Sequence, residues 1–110
     1  MKLRILCDNN TYIDQYFLGE PAFSCYIEAE DARVLLDVGY SDVFLRNAEK
    51  MGIDLSALTH VVLSHGHNDH TGGLTPFIEE KIAPAAKLIA HEDCFVGKHY
   101  GEEYIGAPYD

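Results

Sequence analysis

Three imidazoles and a carboxylate fall within six consecutive residues, His65-Gly66-His67-Asn68-Asp69-His70. These are the side chains that bind transition metals. Neutral imidazole offers a nitrogen donor and carboxylate a hard oxygen. Zinc is the default ion for such a set, and iron or manganese suits the same mixture. His65 and His67 are two residues apart. In an extended segment that spacing turns both rings the same way, so both reach one ion. Asp69 and His70 are adjacent and are expected to diverge from that pair. The pattern therefore suits two neighbouring metals better than one. Zinc–nitrogen bonds of about 2.0–2.1 Å require the segment to be held rigidly. A polar surface loop with clustered histidines is the alternative, and the flanking sequence argues against it.

The flanks are an apolar strand and a glycine pair. His60-Val61-Val62-Leu63-Ser64 reads as a buried strand that ends where the cluster begins. Thr71-Gly72-Gly73 follows, and glycine permits close backbone approach beside a crowded site. Upstream, Leu3–Cys7 reads as a first strand and Asp8-Asn9-Asn10-Thr11 as a turn. Tyr12–Glu20 reads as loop or irregular structure. Phe23–Glu28 and Arg33–Val38 read as a hairpin turning at Glu30-Asp31, and the second run is apolar enough for burial on both faces. Ser41 is expected to cap a helix whose core face is Phe44, Leu45, Ala48 and Met51, with Gly52 as its stop. Asp54 is expected to cap a brief turn through Leu58. A second helix is expected over Leu74–Ile82, with Pro76 in its first turn and Pro84 beyond its end. Lys87–Ala90 reads as a last strand. The tail from Tyr100 to Asp110 carries no firm pattern.

The bulk properties bound the function classes. One hundred and ten residues suit one small domain with a modest core. A formal net charge of −10 argues against nucleic acid and anionic membrane as partners. No apolar run reaches transmembrane length, and Asp8 interrupts the N-terminal run before a signal-peptide core is complete. Three cysteines without CxxC spacing point to reduced thiols in a cytoplasm and not to a disulfide framework.

The segment Ser64–Leu74 resembles the HxHxDH signature of the metallo-β-lactamase superfamily. Asp37-Val38-Gly39 matches that superfamily's Asp-x-Gly after the second hairpin strand. Val43–Ala48, Gly52–Leu55, Asp8-Asn9 and Ile89-Ala90-His91 resemble one branch, the 7,8-dihydropterin-6-methyl-4-(β-D-ribofuranosyl)-aminobenzene-5′-phosphate synthases, also described as metal-dependent hydrolases. The resemblance covers nearly the whole chain. It implies an α+β fold: the N-terminal half of an αββα sandwich, a mixed sheet with helices on one face, so that residues 1–110 form a partial domain. It implies that His65 and His67 bind a first metal, and Asp69 and His70 a second. A water or hydroxide bridging the metals would be the nucleophile, with Asp69 catalytic as its hydrogen-bond partner. Asp37 would brace the ligand loop or cap the turn at Gly39.

The resemblance also implies ligands that this chain does not supply: a third histidine, a bridging aspartate and a last histidine. His91 and His99 are the remaining histidines after the cluster, and neither has ligand context. Asp93 and Asp110 are no better placed. Two expectations follow. The first is a binuclear hydrolase acting on a small molecule, phosphorylated or pterin-like, incomplete in this chain. The second is a non-catalytic or partner-dependent metal-binding half-domain. Half a sandwich leaves an apolar sheet face uncovered, and a homodimer could cover it.

Overall fold

The computed structural model describes residues 1–10 and 17–109. The expected irregular stretch from Tyr12 lies partly outside the described residues. Five strands form one mixed sheet in the order β1-β2-β3-β4-β5. They are β1 (Lys2–Cys7), β2 (Ser24–Glu28), β3 (Arg33–Leu36), β4 (His60–Val62) and β5 (Lys87–Ile89). The first three pair antiparallel, as the expected hairpin requires, and β4 and β5 extend the sheet in parallel. Parallel neighbours need a crossover. Helix α1 (Val43–Met51) supplies one between β3 and β4, and α2 (Asn68–Thr71) with α3 (Leu74–Glu79) supplies the next. A second, two-stranded sheet pairs β6 (His99–Tyr100) with β7 (Glu103–Tyr104).

Strand alternation sorts the side chains onto two faces. Tyr26, Leu35 and Val61 are register partners on the helical side. There they join Phe44, Ala48, Leu74 and Phe77 in the buried core. Complete burial of Phe44 removes its ring from water, a contribution of about 1.5–3 kcal/mol. The opposite face carries a second register row, Ile5–Cys25–Leu36–Val62–Ile89, and none of these five belongs to the core cluster. Ile89 is 51% exposed and Ile5 40%. The helices therefore cover one face, as expected for this α+β class.

Several boundaries differ from expectation, each for a local reason. Ser41 does not cap α1. Its hydroxyl instead donates to Glu20 Oε2 at 2.7 Å, and Asp42 takes the cap position without a side-chain cap bond. Gly52 closes α1 in the left-handed region at φ 74°, with Ile53 N–H donating to the Ala48 carbonyl at 2.9 Å. Helix α3 ends at Glu79, earlier than Ile82. Lys81 takes the left-handed position at φ 52°, and Ile82 N–H donates to the Phe77 carbonyl. The same closing motif thus uses lysine where the sequence suggests no stop. Asp54 caps the short 3-10 turn Leu55–Ala57 as expected, accepting from Ser56 N–H. Asn47 is buried on α1, donating to the Leu6 and Leu18 carbonyls and accepting from Leu18 N–H. It ties the helix to β1 and to the segment before β2.

The three cysteines are unpaired and buried. Burial, reinforced by the neighbouring Glu20 carboxylate, pushes the Cys7 thiol up to about 12. An acid raised by folding is deprotonated first in the unfolded chain. Stability is therefore retained below the ordinary thiol value and falls as pH rises from there towards about 12. The folded protein at neutral pH should resist iodoacetamide at Cys7, and urea should make it reactive. Mass-spectrometric detection of Cys7 alkylation in the native protein would contradict this burial.

Candidate metal centre

The ligand segment leaves the sheet at the C-terminal end of β4 and is gripped from three sides. Val38 N–H donates to the His70 carbonyl at 2.9 Å, and Phe23 N–H donates to the Asp69 carbonyl at 3.2 Å. Asn68 N–H donates to the Ile105 carbonyl at 2.8 Å, so the tail after β7 closes over the loop. Residues 65–67 are irregular and lead into the single turn α2, where Thr71 N–H and its hydroxyl both donate to the His67 carbonyl. The expectation of an extended loop therefore holds only for its first half. The helical turn brings Asp69 and His70 back beside the first two histidines, where divergence was expected.

Glycine lets this packing close. A Cβ on Gly73 would lie 2.0 Å from the Val38 carbonyl oxygen, and one on Gly66 would lie 2.2 Å from that of Cys94. Both obstacles are backbone, so neither can swing aside.

Asp37 sits at the centre of the support. It is 1% exposed, and its backbone adopts the left-handed region at φ 59°. Its Oδ1 accepts from Ser64 N–H at 2.7 Å. Its Oδ2 accepts from the Ser64 hydroxyl at 2.5 Å and lies 2.7 Å from His70 Nδ1. Asp37 thus braces the ligand loop, in line with the first of its two sequence readings. Behind it, Glu20 holds the strap that follows Asp37, its Oε1 accepting from Tyr40 and Ser41 N–H. Glu20 escaped the sequence reading because nothing in its local pattern links it to a loop so far along the chain.

The four expected ligands converge. Ring centroids of His65 and His67 are 5.0 Å apart, and those of His65 and His70 are 4.1 Å apart. His70 Nε2 lies 3.7 Å from Asp69 Oδ2. Donor atoms of His65, His67 and Asp69 lie within 4.8 Å of one another, as do those of Asp37, His65 and His70. Desolvation holds the His65 imidazole below its ordinary range, and charge on His70 and His67 would lower it further. Each effect favours the neutral, ligating form. With His70 Nδ1 engaged by Asp37, its Nε2 remains for an ion. This donor set fits a divalent metal.

The two histidines that follow the cluster lie apart from it. His91 Nδ1 accepts from Asp93 N–H and caps the 3-10 turn Glu92–Phe95, and the His99 ring meets Tyr104 at 5.2 Å. Among the described residues neither joins a group of three donors. Asp110 lies outside the described residues.

Comparison with known proteins gives a consistent result. Residues 19–106 match the Metallo-beta-lactamase superfamily. An uncharacterised protein of Methanocaldococcus jannaschii is 38% identical over 94% of this chain, which spans 40% of that protein. The 7,8-dihydropterin-6-methyl-4-(beta-D-ribofuranosyl)-aminobenzene-5′-phosphate synthase of the same organism is 29% identical over 86% of the chain and 34% of its own length. The crystal structure of a metal-dependent hydrolase of the beta-lactamase superfamily superposes with a TM-score of 0.75 at 35% identity, covering 96% of this chain and 36% of that one. The chain thus spans well under half the length of the relatives it matches.

Proposed function

Because this chain belongs to the metallo-beta-lactamase superfamily, we propose that it forms the metal-binding part of a hydrolase whose ligands are His65, His67, Asp69 and His70. The observation that carries this reading is the convergence of donors about His65, with His67 and Asp69 on one side and His70 and the buried, hydrogen-bonded Asp37 on the other. His65 and His67 serve one ion, and Asp69 and His70 serve a second. Zinc is the default, with iron or manganese as alternatives. Such ions, when bound, acidify water and polarise the bond under attack. The chain's own groups supply the rest. The imidazoles fix the position of the charge, and the Asp69 carboxylate orients the attacking water by accepting its hydrogen bond. The likeness to the dihydropterin synthase supports a small substrate, phosphorylated or pterin-like. Three free cysteines fit a reducing cytoplasm.

Two ligands for each of two ions fall short of the four that zinc normally takes. The complete centre therefore draws on donors beyond these four residues. With zinc added, this chain alone should turn over generic phosphodiesters and thioesters at rates near the uncatalysed background. Sustained, chelator-sensitive turnover by the chain alone would contradict the proposed shortage. The shortage and the apolar row Ile5–Cys25–Leu36–Val62–Ile89, exposed at its Ile5 and Ile89 ends, also favour a second reading, a partner-dependent metal-binding module assembled as a homodimer. Sedimentation at high concentration separates the two, because that module must sediment as a dimer.

A further inference from the structure

We propose that Ser64 is a positioning residue which, by relaying the Asp37 carboxylate to His65, fixes which nitrogen of His65 carries the proton. A serine hydroxyl has one proton to give. Ser64 Oγ lies 2.5 Å from Asp37 Oδ2, and a carboxylate accepts. The proton therefore points at Asp37. The same Oγ lies 2.9 Å from His65 Nδ1, and with its proton spent it can only accept there. His65 must then donate from Nδ1, which leaves the Nε2 lone pair free. His70 reaches the same state directly, its Nδ1 lying 2.7 Å from Asp37 Oδ2. One buried oxygen thus sets two imidazoles, one at first hand and one through Ser64. A second anchor fixes the relay, because Ser64 N–H donates to Asp37 Oδ1 at 2.7 Å. That bond holds the Ser64 backbone beside the carboxylate and keeps Oδ2 within reach of the hydroxyl. The consequence is chemical: two ring nitrogens are ready for a metal before any metal arrives, with no tautomer shift to make on binding.

The inference rests on the metal-site reading, and its test separates the two. Long-range nitrogen–proton NMR of the metal-free protein, at a pH above the ordinary histidine range, assigns each ring's tautomer. Wild type should show His65 and His70 both protonated at Nδ1. Ser64→Ala should release His65 to a mixture weighted to Nε2–H and leave His70 unchanged, and Ser64→Thr should restore the wild-type pattern. Zinc affinity should fall roughly tenfold in Ser64→Ala and recover in Ser64→Thr. His65 protonated at Nε2 in wild type would overturn the relay, a result that needs no variant to fold. So would a His65 tautomer indifferent to Ser64→Ala. Nδ1–H at His65 in a wild-type protein that binds no zinc would leave the relay standing and defeat the metal-site reading.

Discussion

Replacing Asp37 with alanine is expected to cost about 3–5 kcal/mol of folding stability, from the loss of a buried carboxylate that serves three donors. Ser64 N–H, the Ser64 hydroxyl and His70 Nδ1 would each lose their acceptor. Alanine would also inherit a backbone at φ 59°, a left-handed conformation that costs a non-glycine residue about 1 kcal/mol or more. Set against the roughly 5–15 kcal/mol that holds a typical domain together, this is a large fraction. Asp37→Asn separates stability from function. Asparagine tolerates the left-handed region and keeps one acceptor oxygen for Ser64 N–H. Its amide nitrogen cannot accept from His70. Urea denaturation should therefore show a smaller loss for Asp37→Asn, while zinc affinity falls about 10–100-fold, as for other groups that orient a ligand from behind. Unchanged zinc affinity in Asp37→Asn would show that the brace does not govern the site.

Gly73→Ala is expected to destabilise the fold by about 2 kcal/mol or more, although no backbone strain opposes it. Gly73 holds the N-cap position of α3, where glycine is preferred to alanine, at φ −67° in ordinary right-handed space that alanine can adopt. Sterics set the size of the loss. The added methyl would meet the Val38 carbonyl oxygen at 2.0 Å, Phe44 Cε1 at 2.6 Å and the Ser41 carbonyl oxygen at 3.0 Å. Val38 and Phe44 are both fully buried, so the ligand loop itself must lift. That movement would loosen the Val38–His70 backbone bond and pull His70 from Asp37. Gly52→Ala is the control: nothing lies within 4 Å of its added carbon, and only the φ of 74° opposes it. Thermal melts should rank Gly73→Ala below Gly52→Ala, and the reverse order would refute the clash.

The metal motif was legible because its chemistry is local. His65, His67, Asp69 and His70 are adjacent in sequence, and the apolar strand before them and glycines after them give the context. The sheet strands were legible from alternation and apolar runs, and Gly52 from its role as a helix stop. What escaped is whatever the chain closes over distance. Ser41 reads as a helix cap, yet its hydroxyl goes to Glu20. Lys81 occupies a left-handed position usually taken by glycine, so α3 stops short of the expected Ile82. The turn at Asn68–Thr71 depends on the His67 carbonyl being held, and it brings Asp69 and His70 beside the two histidines from which spacing alone suggests they diverge. The β6–β7 hairpin, short and polar, has no periodicity to betray it.

The account stands most directly on one titration, zinc competition against a chromophoric chelator with the metal-free chain and with a His65→Ala/His67→Ala/Asp69→Ala/His70→Ala variant. The wild-type chain should take up zinc weakly or substoichiometrically, and the variant should take up none while keeping its cysteines buried. No zinc uptake by the wild type, or equal uptake by the variant, would contradict the assignment of these four side chains as ligands. Tight binding of two ions per monomer would instead contradict the proposal that the centre needs donors from elsewhere.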